Sequence, residues 1–317
     1  MKTSLQLMAA ILAVVGIAVV GFVADANLKI ATNETLPPDF GAPGRFVTVA
    51  GHNLHVATIG NPTADLSGAP LLLLHGFGVQ GHAAWLPWAS KLAANRSLIM
   101  PDLLGFGHSD RVTVPGPHYT LKNQAATVAA ILDGLGVDKA DIVGNALGGT
   151  VAAQFALDYP ARVRRIVFMD AAVYSHPFGE PRTGVHFIDR AITWQMQTGG
   201  PRADAAHACK DQPNCRWMRL ARVKGTTDAV LAMEETARDA DAEGSHLSDS
   251  IPKIGAPSLV IWGGNDKVTP VADGDRLAQN LKTTISIVAD AGDMPYVTQP
   301  DRIARRILDF LDPSSTR

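Results

Sequence analysis

Cysteine is nearly absent from the 317-residue chain: the two present, Cys209 and Cys215, lie close together in the run CKDQPNC. That is too few for a disulfide-built scaffold, and the run lacks the companion ligands of a zinc site, so the two thiols can pair only with each other. Charge is scarce at 18% and balanced, with 28 Lys and Arg against 30 Asp and Glu for a net charge of -2. No basic excess exists to draw nucleic acid, and the composition argues against such a partner. What the chain has instead is apolar residues, 46% of the total. That supports a full core and rules out disorder for most of the length. The length suits one large domain or two small ones.

The longest apolar run is N-terminal. Lys2 precedes an uncharged stretch over residues 4–24, about long enough to cross a hydrocarbon core. Ala24-Asp25-Ala26 has the small-x-small pattern that a signal peptidase accepts, yet the run exceeds the roughly 7 to 15 residues of a signal-peptide core. Residues 1–26 are therefore read as a membrane anchor, with secretion after cleavage near Ala26 as the alternative. Lys2 stays in the cytoplasm by the positive-inside tendency, so the folded part is expected outside, in a periplasmic setting. That oxidising setting favours a disulfide between Cys209 and Cys215. Residues 27–44 mix Pro, Gly and polar residues without periodicity and read as a linker.

From residue 45 onward, a β-rich pair at 46–50 and 54–59 predicts a hairpin. Short apolar runs then alternate with helical stretches, the pattern of an α/β protein with a parallel sheet covered on both faces. Strands are expected at 71–74, 98–100, 142–143, 163–169, 258–262 and 285–288. Helices are expected at 121–135, started by Thr120, at 150–159, stopped by Pro160, and at 302–311. Residues 174–254 break the alternation and read as a helical insertion between a first core part, 45–173, and a second, 255–312.

Three segments sit where strands end. The strand at 71–74 runs into His75-Gly76-Phe77-Gly78, whose glycines let amide groups aim at one point. The run PDLLGFGHSD occupies residues 101–110, and Gly144-Asn145-Ala146-Leu147-Gly148 joins a strand to a helix. Together these resemble the α/β-hydrolase fold family, marked by a His-Gly loop, a D-x-x-G-x-G-x-S segment and a G-x-S-x-G turn in that order. The resemblance covers residues 46–311. It implies an eight-stranded, mostly parallel sheet flanked by helices, a lid formed by the insertion, and oxyanion donors at the main-chain N-H groups of Phe77 and Leu147, with His75 and Gly76 in the same loop.

The family's chemistry needs a nucleophile at the turn, an acid after a later strand and a His near the C-terminus. Asp266, in Trp262-Gly263-Gly264-Asn265-Asp266, matches the acid. At the turn, however, Ala146 stands where the family has Ser, and a methyl group can neither attack a carbonyl nor lose a proton. In Ala291-Gly292-Asp293-Met294-Pro295, Asp293 stands at the His position, and the last histidine of the chain is His246. The expectation is an α/β-hydrolase-fold protein that is catalytically inactive, a natural pseudoenzyme or an inactivated variant, whose pocket binds a carbonyl compound or small anion. The alternative is an active hydrolase in which Asp266 and Asp293 share a proton and activate water. Asp170 reads as a turn residue at a strand end; the resemblance also implies an acid after the sixth strand in some members, near Asp170, but Asp266 fits its own motif better, and His75 and His108 read as makers of backbone hydrogen bonds. No cofactor and no metal are expected, and the partner expected is a small molecule.

Overall fold

Four consecutive leucines, Leu71–Leu74, form a strand in which every side chain is buried, as a parallel strand covered on both faces requires. Successive side chains alternate sides: Leu72 and Leu74 enter one apolar layer with Val128, Val151 and Trp262, while Leu71 and Leu73 enter the other with Trp85, Trp88 and Tyr296. The computed structural model describes residues 2–64, 68–174, 183–198, 219–242 and 247–312. Cys209 and Cys215 lie outside the described residues.

The sheet has eight strands: β1 (Arg45–Val49), β2 (His52–Ile59), β3 (Leu71–Leu74), β4 (Leu98–Pro101), β5 (Ala140–Asn145), β6 (Val163–Met169), β7 (Ser258–Gly263) and β8 (Ile285–Val288). They lie in the order β1-β2-β4-β3-β5-β6-β7-β8. β1 and β2 pair antiparallel, as do β2 and β4, and all later pairs are parallel. The expected α/β architecture holds.

Seven α-helices of two turns or more accompany the described strands: α1 (Lys2–Asn33), α2 (Leu121–Gly134), α3 (Leu147–Asp158), α4 (His186–Thr198), α5 (Thr226–Ala242), α6 (Val271–Asn280) and α7 (Pro300–Leu311). Thr120 caps α2, its side chain accepting from the Asn123 N-H, which satisfies one of the first-turn donors. α3 starts at Leu147, three residues earlier than its apolar pattern suggests. Ile303, Ala304, Ile307 and Leu311 form the buried stripe of α7, at the spacing that puts side chains on one helix face.

One difference concerns the N-terminal third of the chain. Read as a linker from residue 27, the chain instead stays helical to Asn33, and its next residues are docked. The buried Glu34 accepts from the Thr227 N-H at 3.1 Å, and Leu36 pairs with Val223 as an isolated bridge. Tertiary contact supplies these partners, and local polarity does not reveal it.

α4 and α5 follow β6 in sequence and precede β7. α5 contributes Ala229, Val230, Ala232 and Met233 to the same core layer as β3 and α2. The Thr236 hydroxyl accepts from the Gly116 N-H at 3.0 Å, tying α5 to the loop after β4.

Candidate active site

β5 and α3 meet at Ala146, whose φ of 45° and ψ of -114° lie in the left-handed region. A non-glycine residue there is strained, and the surroundings enforce it. The Ala146 N-H donates to Met169 O at 3.0 Å, and its carbonyl accepts from the N-H groups of Gly149, Thr150 and Ala172. A Cβ on Gly148 would stand 2.1 Å from the Leu74 carbonyl oxygen, so only glycine lets α3 approach β3 this closely. Leu147 is the first residue of α3, and a first-turn N-H has no partner within its own helix.

The His-Gly loop lies against this turn. A Cβ on Gly76 would meet Ala146 Cβ at 3.3 Å and Asn145 Oδ1 at 2.8 Å. His75 holds the loop: its Nδ1 donates to the Gly76 carbonyl at 2.8 Å, and its Nε2 accepts from the Leu103 N-H at 3.0 Å. That pairing needs the neutral ring, and burial lowers its pKa accordingly. His108 likewise faces a main-chain carbonyl, that of Pro38 at 2.7 Å.

Asp266 and Asp293 sit beyond the ends of β7 and β8. Asp266 Oδ1 accepts from the N-H groups of Val268 at 2.7 Å and Thr269 at 2.9 Å, and Oδ2 accepts from the Thr269 hydroxyl. The two loops are locked together: Asn265 N-H donates to Ala291 O and Gly264 N-H to Val288 O, each at 2.8 Å. Tyr296, three residues past Asp293, is buried against Trp85 and Trp88 with ring centroids 5.1 and 5.2 Å away. Burial and then the Asp266 charge raise the Asp293 carboxyl above its usual range.

Two residues that the motifs do not mark belong to the same place. Asn145, beside Ala146, is buried, and its side-chain amide donates to the carbonyls of Met169 and Asp293. Asp170, with a φ of 46° directly after β6, is more than a strand-end turn residue. It is fully buried, and its Oδ1 accepts from the Gly263 N-H at 2.7 Å. Burial first, then repulsion from Asp266 and Asp293, push its pKa to about 8 against the pull of that one N-H. Its Oδ2 is buried with no donor facing it, so a proton carried there, directed to Asp266, satisfies both carboxyls. The Asp170 and Asp293 carboxyls are thus both raised by burial and by the nearby Asp266 charge.

Among the described residues, one trio of metal-type ligands comes together, His55, His82 and Asp102. The ring nitrogens stand 2.8 and 3.0 Å from the carboxylate oxygens, which are hydrogen-bond lengths. The Asp102 carboxylate also accepts from the His108 N-H at 2.8 Å.

A family model described as alpha/beta hydrolase fold matches residues 69–205. The chain has the α/β-hydrolase fold. It is 28% identical over 274 residues to the 2-hydroxy-6-oxo-2,4-heptadienoate hydrolase of Pseudomonas putida, spanning 84% of this chain and 96% of that protein. To the 2-hydroxymuconate semialdehyde hydrolase of a Pseudomonas species it is 28% identical, over 84% of this chain and 93% of that one. A solved membrane phospholipase A, a bacterial virulence factor, shares 22% identity with all of both chains covered and a TM-score of 0.65, a likeness of fold. These relatives correct the expectation of an inactive, ligand-binding protein: the similar α/β-hydrolase-fold proteins are named hydrolases along nearly their whole length.

Proposed function

We propose that this chain is a hydrolase of small carbonyl compounds in which Asp266 and Asp293 activate water directly, with Asp170 holding the shared proton. The observation that carries the reading is the carboxyl cluster behind a hydrolase turn that has no hydroxyl, with Asp170 and Asp266 buried and Asp293 half-buried: Asp170 keeps its proton to about pH 8, and Asp293 is raised by burial and by Asp266. A raised carboxylate is a stronger base than a free one, which is what a water-activating group needs near neutral pH. The methyl group of Ala146 leaves room on the turn where a nucleophilic side chain would project.

In this reading the Asp293 carboxylate takes a proton from water as the water oxygen adds to the substrate carbonyl carbon. The oxyanion is held by the main-chain N-H groups of Phe77 and Leu147. When the tetrahedral species collapses, the bond to the leaving group breaks and that group takes the proton back from Asp293, leaving a carboxylic acid and an alcohol or carbon acid. The relatives' names, a 6-oxo-heptadienoate and a semialdehyde, support a carbonyl substrate. The insertion carrying α4 and α5 is the lid over this pocket.

The first part of α1 is read as a membrane anchor with the folded domain outside the cytoplasm. Its residues 11–22 are all exposed, and an 18-residue stretch within Ile11–Asn33 has a mean hydropathy of 2.2.

The test is hydrolysis of 4-nitrophenyl butyrate and of a 2-hydroxy-6-oxo-dienoate by the full chain. The expected result is slow turnover that Asp293→Asn lowers roughly 100-fold while Asp290→Asn leaves it unchanged. No turnover of either compound, or turnover indifferent to Asp293→Asn, overturns the proposal.

A further inference from the structure

α1 is one unbroken helix that is bare at one end and bolted to the domain at the other. Residues 11–22 are exposed on every side. Directly beyond them, Val23, Ala26 and Ile30 are buried against Ala191 and Trp194 of α4. Asn27 donates to Val23 O within α1 and to Phe187 O in the first turn of α4 at 3.0 Å. Arg190 of α4 donates to Asn27 Oδ1 at 3.0 Å and forks onto Asp228 of α5. The Arg222 guanidinium reaches Asn33 O, and Glu34 is held by Thr227. α1 therefore cannot pivot about a hinge; its direction is fixed to α4 and to the start of α5.

This rigidity sets a height. Residues 4–24 make about 31 Å of helix at about 1.5 Å per residue, close to the thickness of a hydrocarbon core, about 30 Å. With that run in a bilayer, Ala24 lies at the hydrocarbon boundary and Asp25, paired with Lys29 at 3.0 Å, lies among the headgroups. Asn27 is then about 4.5 Å farther out, and the α4 residue whose carbonyl it holds is Phe187. Phe187 and Val185 beside it are half exposed, at 51% and 52%. Two large apolar side chains at the start of α4, Val185 just before it and Phe187 in its first turn, thus sit at the depth where aromatic and aliphatic groups bury against acyl chains.

The insertion leaves β6 at its C-terminal end, where Asp170 stands, and Ala146, Asp266 and Asp293 follow the C-terminal ends of the neighbouring parallel strands β5, β7 and β8. The insertion that carries α4 and α5 is thus joined to the core at the edge of the sheet where the candidate site lies.

We infer that the start of α4, through Val185 and Phe187, is a lipid-contact surface that rests in the bilayer interface and turns the insertion toward the membrane. The inference rests on the anchor reading of α1. Its occupant is the acyl-chain boundary of the bilayer, and the substrate class it favours is an amphiphilic carbonyl compound carried in the membrane.

Full chain reconstituted in phosphatidylcholine vesicles tests this by tryptophan quenching from lipids brominated on their acyl chains, each variant read against the parent protein. Val15→Trp reports the anchor; Phe187→Trp and, as a second probe, Val185→Trp report the surface. Added emission quenched in all three variants is the expected result. Quenching of Val15→Trp with none in either α4 variant overturns the surface while leaving the anchor standing. No quenching of Val15→Trp removes the anchor reading and the inference with it. A matching kinetic readout is expected from Phe187→Asp: about fivefold or more slower attack on a vesicle-borne long-chain ester, with the rate on 4-nitrophenyl butyrate in solution unchanged. Equal rates on both esters count against the inference.

Discussion

The side-chain amide of Asn145 donates to two main-chain carbonyls, those of Met169 and Asp293, each at 3.2 Å. One residue thereby ties the turn at Ala146 both to the end of β6, where Asp170 follows, and to the loop that carries Asp293. Asn145 touches no reacting atom in the proposed reaction; it positions Asp293.

Asn145→Ala removes both bonds: Met169 O keeps the Ala146 N-H, while the partly buried Asp293 O loses its Asn145 donor. The cost in stability is about 1–2 kcal/mol, the range for losing one partner of a buried hydrogen bond. Because the Asp293 loop loses its tether, kcat falls while KM changes little, and denaturant unfolding alongside ester kinetics checks both. A stability loss with kcat intact would make Asn145 structural only.

Asp170 predicts a pH dependence. Its carboxyl holds a proton to about pH 8 in the folded chain, against 3.8 for the ordinary group. Between those values the folded state binds a proton that the unfolded state has released, so stability falls as pH rises through this window. Asp170→Asn keeps the acceptor that Gly263 N-H uses and cannot ionise. The drop in unfolding free energy between pH 5 and pH 8.5 is therefore expected to be smaller in the variant than in the parent, and equal drops would refute the assignment.

These groups differ in how far the chain alone reveals them. The strand Leu71–Leu74 is legible because four adjacent leucines can be buried together only between two helical layers. Ala146 and Asp293 are legible as departures because the glycines and the proline around them keep the motif readable. Asn145 and Asp170 are not, since their importance comes from loops more than 90 residues away in sequence that close on them, Gly263 at |i−j| = 93 and Asp293 at |i−j| = 148. The end of α1 is hidden for the same reason: Asn27 and Glu34 look like linker residues until Phe187, Arg190 and Thr227 supply their partners.

Restoring the two side chains that the turn and the last loop lack gives a third prediction. Ala146→Ser with Asp293→His places a hydroxyl on the strained turn and an imidazole beside Asp266, the arrangement in which base and nucleophile act only through each other. The double variant is expected to be labelled by a fluorophosphonate and to show a burst of 4-nitrophenol, whereas the parent, which has no hydroxyl at the turn, shows neither. Labelling of the parent at this site would contradict direct attack by water.

The last prediction concerns the loop that supports His75. Asp102 is fully buried and accepts from the N-H groups of His82 and His108 and from ring nitrogens of His55 and His82. Burial by itself would raise its pKa, but the His82 charge and the bonds from both rings outweigh burial and hold it well below the usual carboxylate value. A depressed carboxylate contributes stability above the unfolded pKa that is lost as pH falls toward the folded one. Asp102→Ala leaves two amides and two imidazoles facing an empty buried space, a loss of about 3–5 kcal/mol by analogy with a broken buried pair. Thr, Val or Ile at this position cannot rescue it, because only a carboxylate offers enough lone pairs for four donors. Calorimetry at pH 7 checks the loss, and the gap between parent and Asp102→Ala is expected to narrow in acid; a gap that stays constant to pH 3 would show that packing, and not charge, accounts for the site.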